Sequence, residues 1–145
     1  MLLPVLALQA QQLTTSELSI GVAGAAARHT FSGVELGVGE RPSSDMRLAF
    51  AAAGGVEAGR AAARAQATVQ MLVNSLSRTG VGVYGGVGAA FAARERTPGR
   101  GYLALVLGVE GRPGRRRGWY AETGFAGGVR VAVGWRLRSF PVWWR

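Results

Sequence analysis

Hydrophobic and polar residues alternate with a period of two along most of the chain. Near the C-terminus the apolar positions are Val129, Val131, Val133, Trp135 and Leu137. The positions between them are Arg130, Ala132, Gly134, Arg136 and Arg138. Successive side chains of a β-strand point to opposite faces, whereas an α-helix repeats every 3.6 residues. The run therefore predicts a strand with one apolar face and one basic face.

The same alternation recurs in seven earlier segments. Their apolar runs begin at Leu18, Val34, Met46, Ala65, Val81, Leu103 and Trp119. Candidate turns, rich in Gly, Pro, Asn and Ser, lie at residues 28–30, 41–44, 58–60, 74–77, 97–100, 112–115 and 127–128. Such residues suit tight hairpin turns. We predict an all-β fold, an eight-stranded antiparallel up-and-down barrel. Residues 57–74 leave a helix open as an alternative, because Ala and Arg have high helix propensity.

The face opposite the apolar stripes indicates where the barrel lies. It carries Gly, Ala, Ser, Thr, Gln, Tyr and a few ions, unlike the Lys- and Glu-rich exterior of a soluble sheet. An eight-stranded barrel encloses only enough space for side chains, so this mixed set fits inside. Runs of about ten alternating residues are typical of transmembrane strands. We therefore predict a transmembrane barrel with these lipid-facing residues: Leu103, Leu105, Leu107, Val129, Val131, Val133, Trp135 and Leu137.

Charged residues on the inner face must find partners, because an unpaired buried charge costs several kcal/mol. Glu17 also falls on this face. We expect an interior ion-pair network made of Glu35, Glu57, Glu110, Glu122, Arg47, Arg64, Arg130 and Arg136. An interior filled in this way predicts a barrel without an open pore.

Length and the first residues bear on domain organisation. The 145 residues suffice for one domain. Residues 1–10 form a short apolar run that ends in small residues, as at the end of a signal peptide, although no basic residue precedes it and the true start could lie upstream. We expect a signal peptide at 1–10 and a single barrel domain at 11–145. Beyond the N-terminal segment, the longest uncharged segment is residues 79–93, which is broken by five Gly and too short for a membrane-spanning helix.

The charge balance raises two kinds of partner. All 17 basic residues are Arg, and the net charge is +9, which favours anionic lipids or nucleic acid. The arginines are divided between turns and one strand face, and no groove gathers them. This distribution favours lipid head groups over nucleic acid.

Catalytic and metal-binding chemistry have little support. Cys is absent and His29 is the only histidine, so we predict no catalytic residue, metal site or cofactor. The Gly-rich residues 80–88 lack the GK[ST] ending of a phosphate loop and suit a strand instead. Two alternatives stay open. One is a lipid-A-modifying barrel enzyme that uses His29, and the other is a soluble barrel or sandwich that binds an apolar ligand.

Over about residues 14 to 140 the chain resembles the small eight-stranded outer-membrane barrels, such as the OmpA membrane domain and OmpX. The resemblance is architectural. In that family the last strand ends in an aromatic residue that the barrel-assembly machinery recognises, and residues 133–140, ending in Phe140, are similar. Trp119, Trp143 and Trp144 suit aromatic girdles at the membrane interface. The resemblance implies a bacterial outer-membrane location, a structural or surface-modulating role, and membrane lipids and lipopolysaccharide as partners.

Overall fold

A computed structural model describes residues 15–140. These residues form eight strands: β1 (Thr15–Ala26), β2 (Thr30–Ser43), β3 (Met46–Glu57), β4 (Arg60–Val73), β5 (Val81–Arg94), β6 (Thr97–Gly111), β7 (Arg117–Phe125) and β8 (Val129–Ser139). The predicted signal peptide, Trp143 and Trp144 lie outside the described residues.

The sheet closes on itself. Each strand pairs antiparallel with the next, and β8 pairs with β1, for example Val133 with Val22. Closure gives every strand two neighbours and removes the unpaired edges that a membrane would penalise. The predicted eight-stranded antiparallel barrel is confirmed. Residues 60–73 form β4, so the helical alternative for that segment is wrong. Within residues 15–140, no helix is long and apolar enough to cross a membrane.

Two of the predicted turns are displaced because of proline. Pro42 belongs to β2 and Pro98 to β6, so these hairpins turn instead at residues 44–45 and 95–96. The strand register shifts next to both prolines, between Glu40 and Ser43 and opposite Pro98 between Ala92 and Arg94. A proline lacks the N–H that a regular ladder needs, but a bulge accommodates it. The prolines therefore mark bulges close to strand ends.

Most large apolar residues face outward, whereas Phe31, Leu72 and Val106 lie inside with the polar residues. We call the outward apolar residues the apolar belt. All eight predicted lipid-facing residues lie in the belt, with exposures from 41% for Leu105 to 71% for Leu103. By contrast, Arg41 and Glu110 are only 1% exposed. A soluble barrel has the opposite arrangement, because polar side chains are favoured on the outer face, which contacts water. The alternative of a soluble barrel or sandwich with an apolar interior is therefore wrong.

The two ends of the barrel differ. The connections at residues 27–29, 58–59, 95–96 and 126–128 share one end, which we call the hairpin mouth. The connections at residues 44–45, 74–80 and 112–116 lie at the other end, together with both ends of the described chain. We call this second end the terminal mouth. The hairpin mouth thus has only two- and three-residue connections.

Arginine placed in the apolar belt tests which solvent the belt meets. We expect Val133→Arg, halfway along β8, to lower the free energy of unfolding by about 2–4 kcal/mol, because a guanidinium is costly at the bilayer midplane. Ser139→Arg, at the end of the same strand, is the matched control and should cost roughly 0–1 kcal/mol. Urea unfolding in lipid vesicles measures both. Two equally small effects would contradict a lipid-facing belt, since both side chains are exposed.

Candidate functional site

The inner face near the terminal mouth holds two carboxylates among four arginines. Glu110 lies 2.8 Å from Arg47 and 3.1 Å from Arg138, measured between guanidinium nitrogen and carboxylate oxygen. Glu110 also pairs closely with Arg136 and lies 3.4 Å from Arg41. We call Glu17, Glu110, Arg41, Arg47, Arg136 and Arg138 the terminal cluster. These residues come from β1, β2, β3, β6 and β8, so the cluster links strands that are not neighbours.

Glu17 lies beside the same four arginines. Its carboxylate oxygens are 2.6 Å from Arg41 Nε and 2.8 Å from Arg47 Nε. The Nε atoms of Arg138 and Arg136 lie further away, at 3.5 and 3.8 Å. Each carboxylate is therefore shared among several guanidinium groups. Sharing stabilises charges that the interior would otherwise strongly disfavour.

Four arginines exceed two carboxylates, so some of their donors bond to other acceptors. The backbone oxygen of Ser75 accepts a hydrogen bond from Arg41 at 3.2 Å, and that of Arg115 accepts one from Arg138 at 3.1 Å. The side chain of Gln70 accepts from Arg47 at 3.0 Å. The loops of the terminal mouth thus fold back onto the cluster and cover it, as buried donors require.

A second group of charges lies further toward the hairpin mouth. Arg130 donates to Glu35 at 2.6 Å and to Glu122 at 2.7 Å. The Tyr84 hydroxyl donates to Glu122 at 2.7 Å. We call Glu35, Glu122 and Arg130 the middle cluster. Hydrogen bonds between ionised groups are about twice as strong as neutral ones, so the middle cluster holds three strands together across the interior.

Tyr84 connects the two clusters. Its ring lies 5.0 Å from the Arg47 guanidinium carbon and 5.3 Å from that of Arg136, within cation–π range. Its β6 partner is Gly108, and a Cβ there would come within 2.6 Å of the Tyr84 hydroxyl. Gly108 therefore gives the ring the space to lie across the interior.

Little empty space remains between the clusters. The cavity bounded by Glu17, Arg47, Glu122 and Arg136 measures about 30 Å³. Ordinary small-molecule sites are roughly ten times larger or more, at about 300–1,000 Å³. The charged side chains of the two clusters therefore leave only a small void at this depth.

The structure unites six of the eight residues predicted for the interior network and separates two. Glu35, Glu122 and Arg130 form the middle cluster, whereas Glu110, Arg47 and Arg136 belong to the terminal cluster. Glu57 and Arg64 have the expected inward parity but lie near the hairpin mouth. Glu57 lies 3.9 Å from Arg94, and Arg64 donates to the backbone oxygen of Ala126. These two residues share the inward face with the clusters but not their depth in the barrel, because parity defines a face and not a depth.

Three members of the terminal cluster lie outside the predicted network: Glu17, which the alternation had placed on the inner face, and the arginines Arg41 and Arg138. Arg41 follows Glu35, Gly37 and Gly39 with the same parity, but its neighbour Pro42 made residues 41–44 resemble a turn. Arg138 continues the basic face of β8. Extending the alternation of each strand to its last residue is the signal that finds both arginines.

His29 lies in the exposed turn between β1 and β2. Among residues 15–140, no hydrogen bond or ion pair joins its side chain to a serine or an acid. A base needs such partners to activate a nucleophile. Nor do the described residues contain a group of three His, Cys, Asp or Glu side chains placed to hold a metal ion. The geometry therefore gives no support to a lipid-A-modifying enzyme.

No protein-family model matches the chain, and neither does any curated protein. Solved structures match its fold. The N-terminal β-barrel domain of Pseudomonas aeruginosa OprF has a TM-score of 0.61 at 11% identity, over 88% of this chain and 98% of that domain. The attachment invasion locus protein Ail of Yersinia pestis, in complex with the heparin analogue sucrose octasulfate, has a TM-score of 0.58 at 16% identity, over 87% and 99% of the two chains.

A third structure is similar to the same extent. Neisserial surface protein A has a TM-score of 0.56 at 13% identity, over 86% of this chain and 96% of that chain. The chain has the fold of the small outer-membrane barrels. The resemblance inferred from the sequence is thereby confirmed at the level of fold.

Removal of the Glu110 charge tests the terminal cluster. We expect Glu110→Gln to lower the free energy of unfolding by about 3–5 kcal/mol, because four buried arginines lose a shared counter-ion. Glu57→Gln is the matched control. Its partner lies 3.9 Å away and both side chains are partly exposed, so it should cost less than about 1 kcal/mol. Urea unfolding in detergent or vesicles provides both values. Equal losses of unfolding free energy in the two variants would contradict a stabilising role of the terminal cluster.

Proposed function

We propose that the protein is a barrel of the bacterial outer membrane with a structural or surface-modulating role, whose interior is plugged by side chains and is not an open pore. The observation that carries this proposal is the pair of ionic clusters across the interior. The apolar belt supports membrane insertion, because its large exposed side chains gain by leaving water. The apolar run at residues 1–10 supports export, although it lies outside the described residues.

The clusters also account for the plug. A solute that crossed the barrel would have to displace several paired guanidinium groups from their carboxylates. Breaking one buried pair costs about 3–5 kcal/mol, and the interior contains many such contacts. Rearrangement of the plug is therefore too costly to accompany the passage of each solute.

The surface role rests on the charge of the hairpin mouth. This end carries the two acids Glu57 and Glu95 and six arginines: Arg28, Arg60, Arg64, Arg94, Arg96 and Arg100. Such an excess of positive charge attracts phosphate-bearing lipids and lipopolysaccharide. Two proteins of the same fold point in this direction, since Ail was crystallised with a heparin analogue and the Neisserial barrel is named a surface protein.

The barrel-assembly machinery is the second partner we propose. Phe140 follows directly on the last residue of β8, Ser139, and is half-buried. An aromatic residue at the end of the last strand is the feature that this machinery recognises in the outer-membrane barrels that the chain resembles.

Solute flux tests the plug. We expect vesicles that contain the refolded protein to retain glucose as well as protein-free vesicles do, because the void between the clusters measures only about 30 Å³. A sixteen-stranded porin serves as the positive control. Rapid release of glucose from vesicles that contain this protein would overturn the proposal of a plugged barrel.

Cysteine labelling tests location and orientation together. Because the sequence contains no Cys, each variant carries a single label site. In the orientation that keeps both ends of the described chain in the periplasm, only the short connections of the hairpin mouth have to cross the membrane during insertion. In a Gram-negative host we therefore expect an impermeant maleimide to label Arg96→Cys on intact cells, and Arg78→Cys only after the outer membrane is permeabilised. Labelling of neither variant on intact cells would contradict exposure of the hairpin mouth at the surface.

A further inference from the structure

A cavity of about 320 Å³ opens at the hairpin mouth. Its small lining residues come from several strands and turns: Ala27, Ala92, Ala93, Pro98 and Gly127. Their side chains are too short to fill the mouth as the arginines fill the terminal end. The barrel interior is thus closed in its terminal half and hollow at the opposite end, with a volume in the range of small-molecule sites.

The same cavity is lined by four arginines and one acid, which are Arg28, Arg64, Arg94, Arg100 and Glu57. Glu57 lies 3.9 Å from Arg94, and Arg64 donates to the backbone oxygen of Ala126. Arg28 and Arg100 have no side-chain hydrogen bond or ion pair with any residue in the range 15–140. Two guanidinium groups are therefore available to an anion entering the cavity.

The cavity also has an aromatic wall. Tyr102 lines it, and the Tyr102 ring lies against Gly127, where a Cβ would come within 2.7 Å of ring carbons. Gly127 has a φ of 72°, a conformation that glycine adopts without strain. An aromatic face beside unpaired guanidinium groups suits a ligand that has a ring and an oxyanion.

Deeper in the barrel, the Arg64 side chain packs on apolar residues. The Arg64 guanidinium carbon lies 5.8 Å from the centre of the Phe31 ring, and Phe31 packs with Ala25 and Ala53 in a buried group. This packing holds Arg64 in place before a ligand arrives. A preorganised charge loses less entropy on binding than a free one.

We propose that this cavity binds the phosphate or sulfate ester of a sugar. The oxyanion would accept hydrogen bonds from Arg100 and Arg28, with Arg64 and Arg94 adding positive charge, and the sugar ring would lie against Tyr102. The ester is carried either by a soluble sugar or by a lipid head group. The inference concerns the hairpin mouth alone, so it stands or falls separately from the test of the plug.

Calorimetry with the full refolded chain in detergent tests the site, with glucose 6-phosphate as the probe. We expect saturable binding of glucose 6-phosphate and no binding of glucose. Arg100→Gln should weaken binding by about ten- to a hundredfold, because it removes a charged hydrogen-bond donor. Arg96→Gln is the matched control. It removes the same charge at the same mouth, outside the cavity lining, and should change affinity less than about twofold.

Two further variants distinguish specific binding in the cavity from nonspecific electrostatic attraction to the hairpin mouth. Glu57→Gln should strengthen binding severalfold, because it removes a negative charge from the cavity wall. Tyr102→Ala should weaken glucose 6-phosphate binding more than inorganic phosphate binding, because only the sugar ester uses the ring. Each variant is first shown to fold by its gel mobility with and without boiling.

The source of the ester is resolved by competition. Binding of glucose 6-phosphate is measured in vesicles with and without phosphorylated lipid A. Competition identifies a head group as occupant, and unchanged affinity identifies a soluble ester, and both support the site. Absence of saturable binding, or equal losses in Arg100→Gln and Arg96→Gln, would overturn it.

Discussion

The barrel depends on two buried carboxylates that are each shared among four guanidinium groups. In an aqueous protein, apolar side chains converge on a core and hold the strands together. Here the apolar side chains diverge, so the interior has to supply the cohesion by other means. Glu17 and Glu110 do so because each contacts arginines from several strands at once. Their contacts cross the barrel, whereas backbone ladders join only neighbours.

The alternation along the chain is sufficient to predict the number of strands, their order and the face that each residue occupies. It is sufficient because closure makes inward and outward positions chemically different on every strand. The limits of the turns were harder to predict. Proline is typical of turns, yet Pro42 and Pro98 both lie within strands, where register shifts accommodate them. Local composition cannot distinguish a bulge from a turn, since both need the same backbone freedom.

Partners inside the barrel could be predicted only in part. Arg130 and Glu35 are 95 residues apart in sequence and meet because the strands are tilted and staggered. Parity places Glu57 and Glu110 on the same face, but Glu57 ends β3 at the hairpin mouth and Glu110 lies near the end of β6 at the terminal mouth. Which inward side chains meet across the barrel depends on the register of all eight strands together, and no single segment of sequence encodes that sum. This is also why Arg41 and Arg138 complete a cluster whose extent was not predicted.

The brevity of the connections at the hairpin mouth has a consequence for recognition by other macromolecules. Connections of two or three residues leave almost no flexible chain above the rim of the barrel. Proteases cut most readily at exposed loop tips, and this rim has few of them. A substitution at that end therefore changes a side chain on a rigid ring and leaves the path of the backbone unaltered. Such a substitution can change the charge of the rim without adding a flexible loop that other macromolecules could bind or cut.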